Sequence, residues 1–385
     1  MKIVRVEIIE LPESTAVHAG TIGWLWVRIH SDEGIAGLGE TFPATTPDKS
    51  VVLQDFAPRL IGRDPRDIEA IWLDLFTSIA YRGWGGAEIR ALSAVDIALW
   101  DLFARSANLP VYRLLGGQCR ESVPIYNTCY DDIYDFNTHP VELAQDLLAA
   151  GIQAMKIWPF DEVARKNHGQ SISADEMELC LTPVRKIREA LGERMQIAME
   201  FHGLWNLPSA VKIARALEPY QVMWLEEMLP QDNLAAYAAL AQEVSQPLCL
   251  SERLATRWGF REILENRAAR IIMPDVAWCG GLSEARKIAA AAETHYLPIA
   301  PHNCGGPVIH FASWHLAVAT RNLFIMETVR RHYVDRFQLV TTAAGAPQKG
   351  RLGIPPGPGL GIELKPEFLA SERVRIDAFP KKTES

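Results

Sequence analysis

Apolar and polar residues alternate through MKIVRVEIIE at the N-terminus, which predicts a strand. A hairpin follows over residues 24–40, in which WLWVRIH and IAGLGE are joined by the turn SDEG. The period then changes to three or four. Ile68, Ile71, Trp72 and Leu75 share one helical face behind an Asp64-Pro65 start. Ile89, Leu92, Val95, Leu99, Leu102 and Phe103 share another, which Pro110 terminates. These elements predict an α+β domain over residues 1–122.

From residue 123 to 340 the texture is different. Short apolar runs (VPIYNT, AMKIW, MQIAME, MWLEE, PLCLSE, RIIMPD, PIAPH and LFIME) alternate with amphipathic helical stretches. Strand and helix alternating in this way predict a parallel (β/α)7β TIM-like barrel. Past residue 341 the alternation stops, and PPGPGLG is too rich in Gly and Pro for a helix or a central strand. Residues 341–385 are expected to return to the N-terminal region and complete an α+β capping domain.

Each predicted barrel strand after the first ends on a polar or ionisable residue: Lys156, Glu200, Glu226, Glu252, Asp275, His302 and Glu327 in turn. From Glu200 onward they fall 23 to 27 residues apart, about one βα unit. The wider first interval contains the polar insert DEVARKNHGQSISADE, expected to be a loop over the same end of the barrel. Glu200 and His202, two apart in MEFHGLW, would share a strand face. They fit either a metal ligand beside a proton donor or a polar strand end facing water.

Composition narrows the partners. With 39 Lys and Arg against 47 Asp and Glu, the formal net charge is −8, which gives no reason to expect nucleic acid or an anionic membrane surface. No stretch has the pattern of a signal peptide or the length of a membrane span. The six cysteines lack metal-finger spacing and fit reduced thiols in a cytoplasmic protein.

Three carboxylates converging without a cation would repel one another and raise their own pKa values. A divalent ion removes the conflict, and all-oxygen ligation by Glu200, Glu226 and Glu252 favours Mg²⁺ over zinc. Asp275 and His302 end neighbouring strands, so the carboxylate could hold the imidazole as a general base. Lys156 would suit a substrate carboxylate. A metal, a base and a cation together fit proton abstraction next to a carboxylate.

ALSAVDIALWDLFARSANLPVYRLLGG (91–117), WLEEMLPQ, LSERL, IIMPDVAWCGGLSEARKIA and APH resemble, in order, the motifs of the enolase superfamily, specifically its mandelate racemase-like branch. The resemblance spans essentially the whole chain. It implies Glu200, Glu226 and Glu252 as Mg²⁺ ligands, Asp275–His302 as the catalytic dyad, and Glu327 as an acid that hydrogen-bonds the intermediate or tunes the site. The branch more often has Asp at the first ligand. It also commonly carries Lys-x-Lys after the second barrel strand, where this chain has Lys156-Ile157-Trp158, so the second lysine base is missing. Glu-x-His at the third strand is similar to acid-sugar dehydratases of the galactonate and mannonate type, and by that likeness His202 is the acid that protonates the departing hydroxyl.

The expected reaction is dehydration of an aldonate or aldarate to a 2-keto-3-deoxy acid. The alternatives are epimerisation by His302 and His202, or a non-catalytic member of the family. The resemblance also implies a homo-oligomer, often an octamer. His18 in the loop of residues 14–24, with Trp158, Trp205 and Trp278, are candidate substrate contacts; tryptophans at such positions also serve ordinary packing between loops.

Overall fold

The computed structural model describes residues 1–12 and 23–380. Strands β1 (Ile3–Leu11), β2 (Trp24–Ser31) and β3 (Ala36–Thr41) form an antiparallel sheet. The C-terminal strand Arg375–Phe379 completes it along the free edge of β1, with Ile8 opposite Asp377. One sheet face lies on the helix Gly86–Ser106, where Ala94 and Ala98, four residues apart on one face, let the backbones approach closely. Gly37 and Gly39 on β3 lie so near the carbonyls of Ala98 and Ala94 that a Cβ at either position would overlap them.

The second layer is the barrel. Its staves are β4 (Val123–Thr128), β5 (Ala154–Ile157), β6 (Gln196–Glu200), β7 (Trp224–Glu226), β8 (Leu248–Leu250), β9 (Ile271–Ile272) and β10 (Met326–Thr328). The stretch predicted from PIAPH supplies the remaining stave through parallel bridges rather than a continuous ladder. Ile299 bridges both Ile272 and Leu323, and His302 bridges Asp275. Pairing of β10 with β4 closes the ring. No helix among the described residues is long and apolar enough to cross a membrane.

The interior is layered by the two-residue period of a strand. Tyr126, Ala154, Ala198, Trp224, Met273, Ala300 and Ile325 belong to one apolar cluster inside the ring. Two residues further along each chain stand Thr128, Lys156, Glu200, Glu226, Asp275, His302 and Glu327. The polar end of the barrel is therefore the next layer above an apolar plug, and water cannot reach those side chains from below.

Buried acids join cap and barrel. Asp96 accepts hydrogen bonds from Ser283 Oγ at 2.6 Å and Ser283 N at 3.0 Å. Glu40 accepts from the amides of Val308 and Ile309 at 2.7 and 3.0 Å, at the start of the helix Pro307–Ala319. Asp101 links β3 to the C-terminal tail by accepting from Leu38 N and Leu360 N. Burial pushes Asp96 up to about 7 and Glu40 up to about 8, more than their hydrogen bonds restrain them.

Both folded-state values lie above the unfolded ones, so the stabilising contribution is complete in acid and is lost as pH rises through about 7 to 8. The thermal midpoint should fall between pH 5 and pH 8, and Asp96→Asn with Glu40→Gln should flatten that slope. An unchanged slope would remove these two acids as its cause. Gly39→Ala should cost about 3 kcal/mol through overpacking, read as a lower midpoint in urea. A loss under about 0.5 kcal/mol would mean that the helix can simply move away.

Candidate active site

Register places the site residues side by side. Thr128 pairs with Lys156, Glu200 with Glu226, and Asp275 with His302 across adjacent staves. Glu252 follows β8 and completes the arc. Lys156, Glu200, Glu226, Glu252, Asp275, His302 and Glu327 are all buried. Candidate ligand atoms of Glu200, Glu226 and Glu252 lie within 4.8 Å of one another.

Lys156 Nζ is the hub of this charge cluster. It is hydrogen-bonded to Glu226, stands 2.9 Å from Glu327 Oε1, and is 3.6 Å from Glu200 Oε2. Burial raises Glu200, and it raises Glu226 further with help from the neighbouring Glu200 carboxylate. Burial also works against ionisation of Glu252, yet His302, Lys156 and Arg253 hold it below the usual carboxylate range. The set is all-oxygen, convergent and short of positive charge, which fits a divalent cation.

His302 Nδ1 meets Asp275 Oδ2 at 2.6 Å. Its Nε2 faces Glu252 at 3.3 Å and Glu327 at 3.7 Å. Burial disfavours the imidazolium, but Glu252 and Glu327 outweigh it and raise the pKa well above the ordinary value. Glu327 is held down to about 2 against its burial, chiefly by Lys156 and His302. Its carboxylate also takes the Thr128 hydroxyl and the Asn303 amide, the latter at 2.8 Å.

His202 arrives differently from expected. The strand ends at Glu200, so no shared strand face carries the pair. Glu200 Oε1 instead accepts from Phe201 N at 3.0 Å and His202 N at 2.6 Å, curling the backbone around the carboxylate. His202 takes a left-handed φ of 51° there and lines the cavity, while its Nδ1 meets Asp161 Oδ2 at 2.7 Å. Asp161 lies in the polar insert, and the insert is not simply a loop. It contains the helix Asp161–Asn167, and Ser173 with Glu176 forms a capping box for the next helix, Ala174–Leu191.

The cavity above these groups measures about 810 Å³ including its mouth. Lys156, Glu200, His202, Glu252 and His302 line it, as do Trp158 and Trp278. Trp278 tilts over His302 with ring centroids 5.1 Å apart, and its indole N–H donates to the Phe42 carbonyl of the cap. Trp158 stands edge-on to His202 at 5.8 Å. Trp205 does not reach the cavity: it is 1% exposed and packed in the core, so its expected substrate contact is corrected to packing. His18 lies outside the described residues.

Several lining residues gave no signal in the sequence. Trp24 and Phe42 enter from the cap, and Thr128 ends β4 with a hydroxyl rather than an ionisable group. Tyr130 and Cys304 sit in loops beyond strand ends, and His332 and Arg336 on the helical turn that follows β10. Only the position of Thr128, in register with Lys156, could have flagged one of them.

Comparisons with known proteins agree with this architecture. Residues 2–116 match the mandelate racemase / muconate lactonizing enzyme N-terminal domain, and residues 140–368 match the enolase C-terminal domain-like family. The chain is 31% identical over 355 residues to a D-galactonate dehydratase of Variovorax paradoxus (strain S110), covering 90% of each. It is 28% identical over 371 residues to a D-xylonate dehydratase of Haloferax volcanii, covering 94% of this chain and 88% of the relative. Among solved structures, an enolase of the mandelate racemase subgroup from Agrobacterium tumefaciens superposes with a TM-score of 0.89 at 43% identity, covering 98% of both chains. Barrel, cap, strand-end acids and these matches together place the chain in the enolase superfamily, in its mandelate racemase / muconate lactonizing enzyme branch.

Proposed function

We propose that the protein is a Mg²⁺-dependent sugar-acid dehydratase that converts an aldonate or aldarate to a 2-keto-3-deoxy acid. The observation that carries this reading is the pair of imidazoles on one cavity: His302 beside the three-carboxylate cluster, and His202 beside Trp158, where a second lysine would otherwise stand. Relatives named for D-galactonate and D-xylonate dehydration support the substrate class.

His302, with Nδ1 held by Asp275, takes the C2 proton on Nε2 when its ring is neutral. A cation on Glu252 would favour that form by cancelling the negative charge that raises the His302 pKa. Lys156 neutralises charge that develops on the substrate carboxylate as the enediolate forms. Mg²⁺, when held by Glu200, Glu226 and Glu252, supplies the dipositive charge that stabilises the same enediolate and offsets the repulsion among its ligands. Hydroxide is a poor leaving group, so His202 donates a proton to the C3 oxygen as the C3–O bond breaks. Water leaves, and the enol takes a proton at C3 to give the ketone. Trp158 and Trp278 wall the site from solvent and offer faces to the carbon chain. Two imidazoles on one cavity also fit epimerisation at C2, in which the second would return a proton there.

Incubation with a panel of aldonic and aldaric acids, Mg²⁺ and D₂O separates the two. Release of a 2-keto acid is expected; C2 deuteration with no keto product would instead assign epimerisation. His302→Asn should abolish C2 exchange, and persistent exchange would remove it as the base. His202→Asn should keep exchange and lose elimination by about 10²-fold or more. Glu226→Gln should weaken Mg²⁺ binding at least tenfold by calorimetry, as expected for a lost ligand, and unchanged affinity would take Glu226 out of the ligand set.

A further inference from the structure

The polar insert between β5 and β6 places Asp161 behind His202, outside the lining of the cavity. It opens the helix Asp161–Asn167 but does not cap it, since that helix has no side-chain hydrogen bond at its N-terminus. Asp161 is nevertheless 3% exposed. Its Oδ2 accepts from Arg165 Nη2 at 2.8 Å and meets His202 Nδ1 at 2.7 Å. The Arg165 side chain is 63% exposed, and ion pairs of that kind contribute little. The contact that accounts for this buried carboxylate is therefore the one to His202.

Three constraints converge on the His202 ring. The backbone is left-handed at φ 51°, a conformation that non-glycine residues hold only when their surroundings fix it. The Trp158 indole stands against the imidazole at an interplanar angle of 74°. The Asp161 carboxylate occupies Nδ1. An ionised carboxylate only accepts hydrogen bonds, so the ring keeps a proton on Nδ1; acting as an acid, the imidazolium gives up its second proton from Nε2 and is left as the neutral Nδ1–H tautomer. The same hold on Nδ1 applies to His302, which is tied to Asp275.

We propose that Asp161 is a positioning residue for the elimination step, fixing the ring plane of His202 and keeping one proton on Nδ1, so that the proton on Nε2 faces the C3 oxygen of the substrate and is the one transferred. This rests on the reading of His202 as the acid. Asp161 touches no reacting atom. Its loss misdirects the second proton transfer and leaves the first intact, so the two halves of the reaction come apart. A residue that merely stabilised the insert would slow both together.

The test uses the full-length protein with D-galactonate and Mg²⁺ in D₂O, comparing wild type, Asp161→Ala, Asp161→Asn and His202→Asn. Asp161→Ala should keep C2 exchange within about threefold, lose keto-acid formation by about tenfold or more, and leave KM within about threefold. Asp161→Asn, which preserves shape, should move the exchange-to-elimination ratio the same way and decides the matter if the alanine variant fails to fold. If His202→Asn loses elimination while both Asp161 variants eliminate at the wild-type rate, the positioning role is overturned and the reading of His202 stands. If His202→Asn eliminates normally, that reading fails and the Asp161 role fails with it.

A second measurement needs no turnover. With ¹⁵N-labelled histidine at pH 9, where ordinary imidazoles are neutral, the His202 signals are identified by their absence in His202→Asn. The Nδ1–H tautomer is expected in wild type, with a shift toward Nε2–H in Asp161→Ala. An Nε2–H tautomer in wild type, or no change in the variant, overturns the proposal.

Discussion

The carboxylates of Glu200, Glu226, Glu252, Asp275 and Glu327 are buried in one barrel mouth, and the structure is organised around compensating their charge. Lys156 touches three of them, and His302 touches three. That leaves negative charge in excess within a space where water cannot screen it. Burial raises Glu200 and Glu226, the two carboxylates whose ladder register sets them side by side. A divalent cation would relieve this excess.

Such a cluster must be closed on both sides. From below, the apolar layer of Ala154, Ala198, Trp224 and Ala300 seals the barrel. From above, the cap adds Trp24 and Phe42, with Phe42 stacked near Trp278 at 6.5 Å and 8°. Placement of the cap depends on acids that burial makes reluctant to ionise, Asp96 against Ser283 and Glu40 against the amides of Val308 and Ile309. Seam and site thus share one principle: carboxyl groups excluded from water and held by protein donors, across the two layers at the seam and within the barrel at the site.

The two imidazoles show how one device is assembled by different routes. His302 meets Asp275 because adjacent staves align them as bridge partners. His202 meets Asp161 only because the backbone turns left-handed after Glu200 and a short helix in the insert delivers the carboxylate. The first pairing belongs to the barrel framework. The second belongs to its loops, where a fold of this kind carries its specificity.

Alternation and spacing alone determined the eight staves, the cap helices and the row of strand-end groups from Lys156 to Glu327, because a two-residue strand period and a repeating βα unit leave a direct imprint on residue order. The barrel motifs resembling the enolase superfamily were legible for the same reason, sitting at strand ends, and the motif over 91–117 was legible from the helical period of the cap. Tertiary structure alone decided which side chains meet across loops. Asp161 read as one more charge in a polar insert, Trp205 looked like its cavity-lining counterparts Trp158 and Trp278, and Tyr130, His332 and Arg336 carried no pattern at all. Loop conformation follows from local dihedrals and long-range packing rather than from periodicity, so the partner of His202 could be found only in three dimensions.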